Sequence, residues 1–201
     1  DNSFPGAYLR EEHHFTHKPS GSSYFLSAIQ DLPGFDTTPL YASICASLVP
    51  AGPKGSRHFF WNTEQGHLPL QVLFNKTDPA EAIIAGRDML ALAATQHNLC
   101  ASIPHIPASL INTPSAADAL EALQPASLES IWIYLDSRTD TLPPDVIDSL
   151  VTSRLSPGGM LCFTGKSSAL STLPKRIPGF NRGAAKRHSG FRVQSFLKQG
   201  V

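Results

Sequence analysis

The last quarter of this chain contains no acidic residue. All 16 Asp and Glu residues of the 201-residue sequence lie in residues 1–148, which carry a net charge of −9. Residues 149–201 carry nine Lys and Arg residues and a net charge of +9. This division predicts either that the two parts neutralise each other or that the C-terminal part binds a polyanion such as nucleic acid.

Other absences narrow the class of protein. The three cysteines, Cys45, Cys100 and Cys162, form no CxxC pair, which excludes a zinc ribbon and a thioredoxin-like site. Their apolar surroundings predict buried thiols in a reducing compartment, and we expect a cytoplasmic protein. No apolar run reaches the roughly 18 residues that a membrane span needs, so no membrane partner is expected. The chain begins with Asp rather than Met, which suggests a fragment of a longer protein.

Short apolar segments separated by many prolines indicate the secondary structure. The predicted strands are residues 57–61, 70–74, 99–106, 130–136, 160–163 and 191–197. The predicted helices are residues 24–32, 38–49, 77–96 (capped by Asp78), 115–124 and 143–155.

From residue 70 onward, predicted strands alternate with predicted helices, which is typical of an α/β fold with a mostly parallel sheet. The runs SIWIYLD and MLCF are apolar enough to be neighbouring, central, parallel strands. We therefore predict a Rossmann-like α/β domain with flanking helices in residues 51–201. An N-terminal arm and helical extension is predicted in residues 1–50.

The segment SIWIYLD…PPDVIDSLVTSRLSPGGMLCFTGK resembles the fourth-to-fifth strand region of class I S-adenosylmethionine-dependent methyltransferases. There, a strand ends in an acid, a helix follows, and an L-x-P-G-G turn leads into the next strand. GFRVQSFLKQG is similar to the closing edge strand of that family, so the resemblance covers roughly residues 128–201. In its ribose 2′-O-methyltransferase branch, a Lys-Asp-Lys-Glu set activates the hydroxyl, and Asp136 and Lys166 match its central Asp and second Lys. Lys54 matches the first Lys only loosely, and the final Glu has no counterpart.

The cofactor motif of that family is degenerate in this chain. Its first strand leads into a Gly-rich turn, but no GxGxG occurs here. If RHFFW were that strand, only about eight residues would precede Leu70, too few for the helix of a parallel crossover. If LQVLF were that strand, its turn would hold no glycine. These departures predict that no cofactor binds, with S-adenosylmethionine as the cofactor only if the chain is an active methyltransferase.

Basic residues follow the predicted strand at 160–163 and define a candidate polyanion site. Phe180 and Phe191 are interleaved with them and are candidates for stacking on a base. The Gly-Lys-Ser triplet at 165–167 is not a phosphate loop, because Met160 stands where its first glycine would be. The candidate polyanion-binding residues are Lys166, Lys175, Arg176, Arg182, Lys186 and Arg187.

A histidine-rich stretch, EEHHFTH, lies near the start of the chain. His13 and His17 would share one face of a helix there, but the pattern is not HExxH and a proline follows closely. We therefore expect a solvated polar arm and no metal site.

The function predicted from the sequence is that of a non-catalytic, repurposed methyltransferase-like domain. It would serve as a binding or scaffolding module for a protein partner or for neighbouring domains of a larger protein. Two alternatives stay open. One is an active S-adenosylmethionine-dependent methyltransferase with an atypical cofactor turn, and the other is an RNA- or nucleotide-binding module that uses the basic C-terminal region.

Overall fold

The computed structural model describes residues 9–17, 19–34, 37–48, 55–74, 78–135 and 146–200. The strands in these ranges are β1 (Leu9–Thr16), β2 (Ser23–Ile29), β3 (Arg57–Trp61), β4 (Glu81–Gly86), β5 (Ala108–Asn112), β6 (Leu128–Leu135), β7 (Leu155–Lys166), β8 (Phe180–His188) and β9 (Phe191–Lys198). The helices are α1 (Leu40–Ala46), α2 (His67–Leu73), α3 (Met89–Ser102) and α4 (Ala116–Glu121). Shorter helical turns are of π type (Ile147–Val151), α type (Thr152–Arg154) and 3-10 type (Ala169–Thr172).

Seven strands form one sheet in the order β5-β4-β3-β6-β7-β9-β8. The first five of these strands are parallel, and β9 runs antiparallel between β7 and β8. The predicted α/β class with a mostly parallel sheet is therefore confirmed. SIWIYL and MLCF lie in β6 and β7, which are adjacent, parallel and internal to the sheet as predicted; Asp136, at the end of the first run, lies outside the described residues. Their apolar runs form strands because helices cover both faces of the sheet at this point.

Side chains that alternate along each strand divide the core between the two faces of the sheet. Phe60, Ile84 and Trp132 face α1, α2, α3 and the β1–β2 hairpin. Phe59 and Phe163, on the other face, pack with α4 and the helical turns that precede and follow β7. Both faces of the central strands are therefore buried.

The prediction of a helix over residues 24–32 is wrong, because this segment is mostly strand β2, paired antiparallel with β1. Tyr24, Leu26 and Ala28 alternate into the core and are at most 2% exposed. A short apolar run of this kind fits a buried helix and a strand equally well, and only a partner strand decides between them. The N-terminal extension therefore contains a two-stranded sheet and the short helix α1. A domain boundary at residue 50 remains a prediction.

The prediction was also wrong for residues 70–106. The predicted strand at 70–74 belongs mostly to helix α2, and the predicted helix at 77–96 divides into strand β4 and the start of α3. The predicted strand at 99–106 is the end of α3 and the loop after it. EAIIAG reads as a helix because its apolar residues are continuous, yet a parallel strand buried on both faces has the same pattern.

Asp88, rather than the predicted Asp78, caps the long helix of this region. Its Oδ1 atom accepts hydrogen bonds from the backbone N–H groups of Leu90 (2.8 Å) and Ala91 (3.2 Å). Asp78 lies ten residues earlier, before β4, so it cannot serve this helix. The helix begins where β4 has ended and the chain reverses direction.

Candidate functional site

A cleft lies at the carboxyl edge of the sheet, where the chain order reverses. From β3 the chain builds outward through β4 and β5, and it then returns to place β6 on the other side of β3. Open α/β sheets bind ligands beyond the strand ends at such a switch point. The cleft has a volume of about 280 Å³, close to the lower end for ligand pockets. Its lining residues are Leu32, Pro33, Asn62, Glu64, Arg87, Asp88, Ala91 and Tyr134.

The turn between β3 and α2 forms one wall of this cleft and has an unusual backbone. Asn62 (φ 57°), Glu64 (φ 51°) and Gly66 (φ 99°) all adopt left-handed conformations, at every second residue. A G-x-G-x-G turn has its glycines at the same spacing. In this chain, Asn62 and Glu64 stand in place of the first two glycines. This conformation raises the energy of a non-glycine residue by about 1–2 kcal/mol, so contacts elsewhere must hold the turn.

Hydrogen bonds from the N-terminal segment hold the turn in place. The Glu64 carboxylate accepts a hydrogen bond of 2.5 Å from the Tyr41 hydroxyl of α1. Gln65 accepts one from the backbone N–H of Ile29 (2.7 Å) and donates to the carbonyls of Leu32 and Pro33 (3.0 Å each). The extension before β3 therefore supports the turn that lines the cleft.

Tyr41 acts as a hydrogen-bond donor in this arrangement. Burial, followed by the negative charge of Glu64, raises the pKa of Tyr41 well above its usual value. Its ring stacks on that of Tyr134, at the end of β6, with the centroids 4.4 Å apart. The Glu64 carboxylate is thereby fixed between a protonated phenol and the cleft.

Gly66 allows α3 to approach the turn. A Cβ atom at this position would lie 3.3 Å from the backbone Cα atom of Thr95 in α3. The hydroxyls of Thr63 and Thr95 are 2.7 Å apart in the same contact. Gly66, the one glycine of this turn, is therefore required for the packing of α3 against it.

The cleft contains two carboxylates and one guanidinium, which can bind hydroxyl, amino and carboxylate groups. Asp88 follows the turn by 22 residues, and an acidic residue about 20 residues beyond such a turn binds ribose hydroxyls in dinucleotide folds. Glu64 adds a second carboxylate, which can pair with an amino group. Arg87 supplies a guanidinium, which can pair with a carboxylate. S-adenosylmethionine presents all three of these groups.

Asn62, Glu64 and Asp88 were missed by the sequence-based argument. Too few residues for a crossover follow Trp61 only if the next strand begins at residue 70, as was predicted. The next strand begins at Glu81, and α2 fits in between. A strand, a turn with a glycine, and an acid about 20 residues later were the signal that could have found this site.

Of the two predicted catalytic candidates, Asp136 lies outside the described residues. Lys166 is exposed at the end of β7, at the same carboxyl edge of the sheet as the cleft. Its Cα is paired with that of Phe191 in the neighbouring strand β9. A joint role for Asp136 and Lys166 remains a prediction.

The structure places four of the six candidate polyanion-binding residues along adjoining depressions, and Lys166 and Lys186 do not line them. Lys175 and Arg176 lie in the loop before β8, and Arg182 and Arg187 lie on β8. Lys186 points to the opposite face of β8 and donates a hydrogen bond of 2.8 Å to the Ser47 hydroxyl. Binding of a polyanion by the six residues remains a prediction.

The two phenylalanines proposed to stack on a base are occupied elsewhere. Phe180 is only 9% exposed and belongs to the core on the α4 face. Phe191 is partly buried, with its ring centroid 6.0 Å from that of Tyr41. Phe180 is therefore not available to stack on a base, and stacking on Phe191 remains a prediction.

The histidines near the start of the chain do not share a helix face, because residues 9–16 form strand β1. His17 is fully buried after this strand and is hydrogen-bonded to the Gln71 carbonyl at 3.1 Å. Within the described ranges, no group of three or more metal-ligating side chains is present. In the same ranges, no helix is long and apolar enough to cross a bilayer.

The sequence matches no protein-family model and no curated protein. Solved structures share its fold. A conserved hypothetical protein from Streptococcus pyogenes has a TM-score of 0.66 at 17% identity, over 80% of this chain and 96% of that one. A protein described as a methyltransferase, yhhF from Escherichia coli, has a TM-score of 0.65 at 14% identity, over 95% and 100%. SMU.776, described as a methyltransferase complexed with SAH, has a TM-score of 0.61 at 10% identity, over 93% and 56%.

This chain therefore has a class I methyltransferase-like fold, and the likeness is not limited to the C-terminal part from which the sequence indicated it. The comparison also corrects the expectation that no cofactor binds. That expectation rested on missing glycines, whereas the fold is shared with S-adenosylmethionine-dependent enzymes, one of them solved with SAH. The left-handed backbone that the glycines would provide is present at Asn62 and Glu64.

Proposed function

We propose that this methyltransferase-like domain binds S-adenosylmethionine in the cleft at the carboxyl ends of β3, β4 and β6. The observation that supports this most is the left-handed backbone at alternate residues of the turn after β3. These residues have the spacing of the glycines in a Gly-rich turn and lie at the switch point of the sheet, although two of them are not glycine. When bound, S-adenosylmethionine supplies an electrophilic methyl group.

The cleft residues have separate roles in this proposal. Asp88 holds the ribose hydroxyls, and its carboxylate is already oriented because Oδ1 caps α3. Glu64 places a fixed negative charge beside the amino group, held by Tyr41. Arg87 pairs with the carboxylate of the amino acid portion. The two carboxylates are oriented before binding, which lowers the entropic cost of ordering them.

Two activities are compatible with such a site. One is methyl transfer, for which Asp136 and Lys166 are the catalytic candidates. The other is a non-catalytic binding or scaffolding module that retains the cofactor. One observation favours the second: Glu64, and not glycine, stands at the middle position of the turn after β3.

Calorimetric titration with S-adenosylmethionine and with its demethylated product tests the binding proposal. We expect a saturable isotherm for the wild type. Asp88→Ser keeps a helix-capping residue but removes the carboxylate, and it should weaken binding about tenfold, since a hydrogen bond to a charged group contributes about 1.5–3 kcal/mol. The matched control is Asp78→Ser, an exposed acid outside the cleft, which should bind as the wild type does. No saturable heat for the wild type would refute the proposal.

Methyl transfer is tested separately, with radiolabelled S-adenosylmethionine and either total RNA or a protein extract as acceptor. Transfer that is lost in Asp136→Ala and in Lys166→Ala would establish the enzyme. Binding of S-adenosylmethionine without methyl transfer to either acceptor would support the non-catalytic module. Unchanged transfer in both variants would remove these two residues as catalytic candidates.

A further inference from the structure

A second surface, of opposite charge, lies along β7, β9 and β8. Three depressions adjoin there, with volumes of about 440, 170 and 810 Å³. The first and second share Ser171 and Arg192, and the second and third share Lys175, Arg182 and Phe196. They therefore form one continuous channel, which we call the basic groove. Its cationic residues are Lys175, Arg176, Arg182, Arg187 and Arg192.

Three arginines of the basic groove, Arg182, Arg187 and Arg192, share one face of the sheet. Arg182 is paired with Phe196, whose side chain is in the core on the α4 face, and Arg187 is paired with Arg192. Directly paired residues of antiparallel strands project to the same face. Lys186, adjacent to Arg187, is paired with Val193 and projects to the opposite face.

Among the described residues, the cations of the basic groove have no acidic partner. The Gln194 Oε1 atom accepts hydrogen bonds from the Nη2 atoms of both Arg182 (3.1 Å) and Arg192 (3.3 Å), which orients two guanidiniums side by side. No cation of the groove is paired with a carboxylate within the described ranges. Residues 149–201 contain no Asp or Glu. Like charges held together repel, so an anion that binds between them is stabilised.

One end of the basic groove has the groups that bind a phosphate. Ser167, Ser168 and Ser171 line it together with Arg187 and Arg192. The Ser167 Oγ atom is buried and has no hydrogen-bond partner among the described residues. A hydroxyl beside two guanidiniums suits the oxygens of a phosphate.

The length of the basic groove indicates a polymer rather than a single phosphate. Arg182 and Arg187 are five residues apart on β8, on the order of 15 Å, so one phosphate cannot contact both. The aromatic rings at the groove, Phe180 and Phe196, are buried. The groove therefore offers contacts to a phosphate backbone and not to bases, and its concave shape suits a strand that can bend.

We propose that the basic groove binds single-stranded RNA through its phosphodiester backbone, with little dependence on base sequence. This site is distinct from the cleft beside Glu64 and Asp88 and does not depend on cofactor binding there. If all five cations contact phosphates, the affinity should fall roughly a hundredfold between about 50 and 200 mM salt.

The test is fluorescence anisotropy with a fluorescein-labelled single-stranded RNA of about 15 nucleotides, at low and at physiological salt. The double variant Arg187→Gln with Arg192→Gln should weaken binding about tenfold or more. It should also reduce the slope of log affinity against log salt concentration by about one to two. Lys186→Gln is the matched control: it removes the neighbouring cation on the opposite face, and it should change affinity less than about twofold. Thermal melting of each variant checks that the fold is intact.

Three results would overturn the proposal. The first is no binding of the RNA by the wild type at low salt. The second is an equal loss of affinity in Lys186→Gln, which would indicate non-specific attraction. The third is competition by inorganic phosphate or by poly-glutamate as effective as competition by unlabelled RNA at equal charge. The last of these would indicate a single-phosphate site or an acidic protein partner instead.

Discussion

The turn after β3 and the turn after β7 lie at the same edge of one sheet but differ in chemistry. The first borders a cleft with two carboxylates, Glu64 and Asp88, and one guanidinium. The second leads into the basic groove, which has serine hydroxyls and five cations without a carboxylate. The zero net charge of the chain conceals this division. One sheet edge therefore offers different sites for two different ligands.

The two turns also use backbone conformation differently. Glu64 adopts a left-handed conformation that the motif would assign to glycine, and hydrogen bonds from α1 and the N-terminal segment hold this turn. Gly165, at the exit of β7, has φ 150°, and a Cβ atom there would lie 2.4 Å from the carbonyl oxygen of Leu135. In the first turn Glu64 adopts a left-handed conformation without glycine, while Gly66 is required by contact with α3; in the second turn Gly165 is required by contact with β6.

The largest expected effect tests this requirement. Gly165→Ala should destabilise the protein by about 3 kcal/mol or more, because its Cβ meets backbone that cannot rotate away and its φ is unfavourable. The measurement is urea unfolding followed by circular dichroism. Gly158→Ala is the control, since its φ of 76° is also left-handed but no atom lies within 4 Å. It should cost only about 1 kcal/mol. Equal losses would show that contact with β6 is unimportant.

The next effect concerns the dependence of the first turn on the N-terminal segment. His67 begins α2 and bonds to the Gly34 carbonyl at 2.7 Å and to the Tyr24 hydroxyl at 3.0 Å. Burial, opposed by the bond to Gly34, lowers the pKa of His67 from 6.5 to about 4. The folded state therefore favours neutral His67. Its contribution to stability is complete above pH 6.5 and is lost as the pH falls toward 4.

Between pH 7 and pH 5, this histidine should account for a loss of about 2 kcal/mol in the free energy of unfolding. Urea unfolding at both values gives the difference for the wild type and for His67→Gln. The variant should lose most of this pH dependence. Part should remain, because burial also lowers the pKa of His17. A wild type equally stable at pH 5 and pH 7 would contradict the prediction.

A smaller effect distinguishes the two candidate helix caps. Asp88→Ala removes the acceptor for two backbone N–H groups of α3 and should cost about 1 kcal/mol. Asp78→Gly should change stability by less than about 0.5 kcal/mol, because Asp78 is exposed and its φ of 62° suits glycine. Thermal melts of the two variants measure the two losses. A larger loss for Asp78→Gly than for Asp88→Ala would support Asp78, the cap predicted from the sequence.

The smallest effect is expected at the second turn. Lys166 is exposed, so Lys166→Ala should alter the free energy of unfolding by less than about 0.5 kcal/mol. The same urea titration measures it. A loss of several kcal/mol would show that this lysine is a structural partner and not a residue of the rim.

The sequence by itself determined the central strands and the charge division. β6 and β7 were predictable because a strand buried on both faces must be almost wholly apolar, and SIWIYLD and MLCF permit little else. The capping serine of α4, Ser115, was likewise at the start of a predicted helix. The basic C-terminal quarter is a matter of composition, which folding does not change.

Only the tertiary structure decided the N-terminal hairpin, the strand β4 and the cleft. YFLSAI and EAIIAG fit a helix or a strand, and their partner strands made the choice through long-range hydrogen bonds. The turn at Asn62, Glu64 and Gly66 contains one glycine, so its left-handed path is imposed by contacts with residues as distant in sequence as Ile29 and Tyr41. Likewise, Lys186 and Arg187 are equivalent in the sequence, and their opposite faces follow only from the pairing of β8 with β9. Local residue preferences cannot encode these choices, because each depends on a partner remote in the chain.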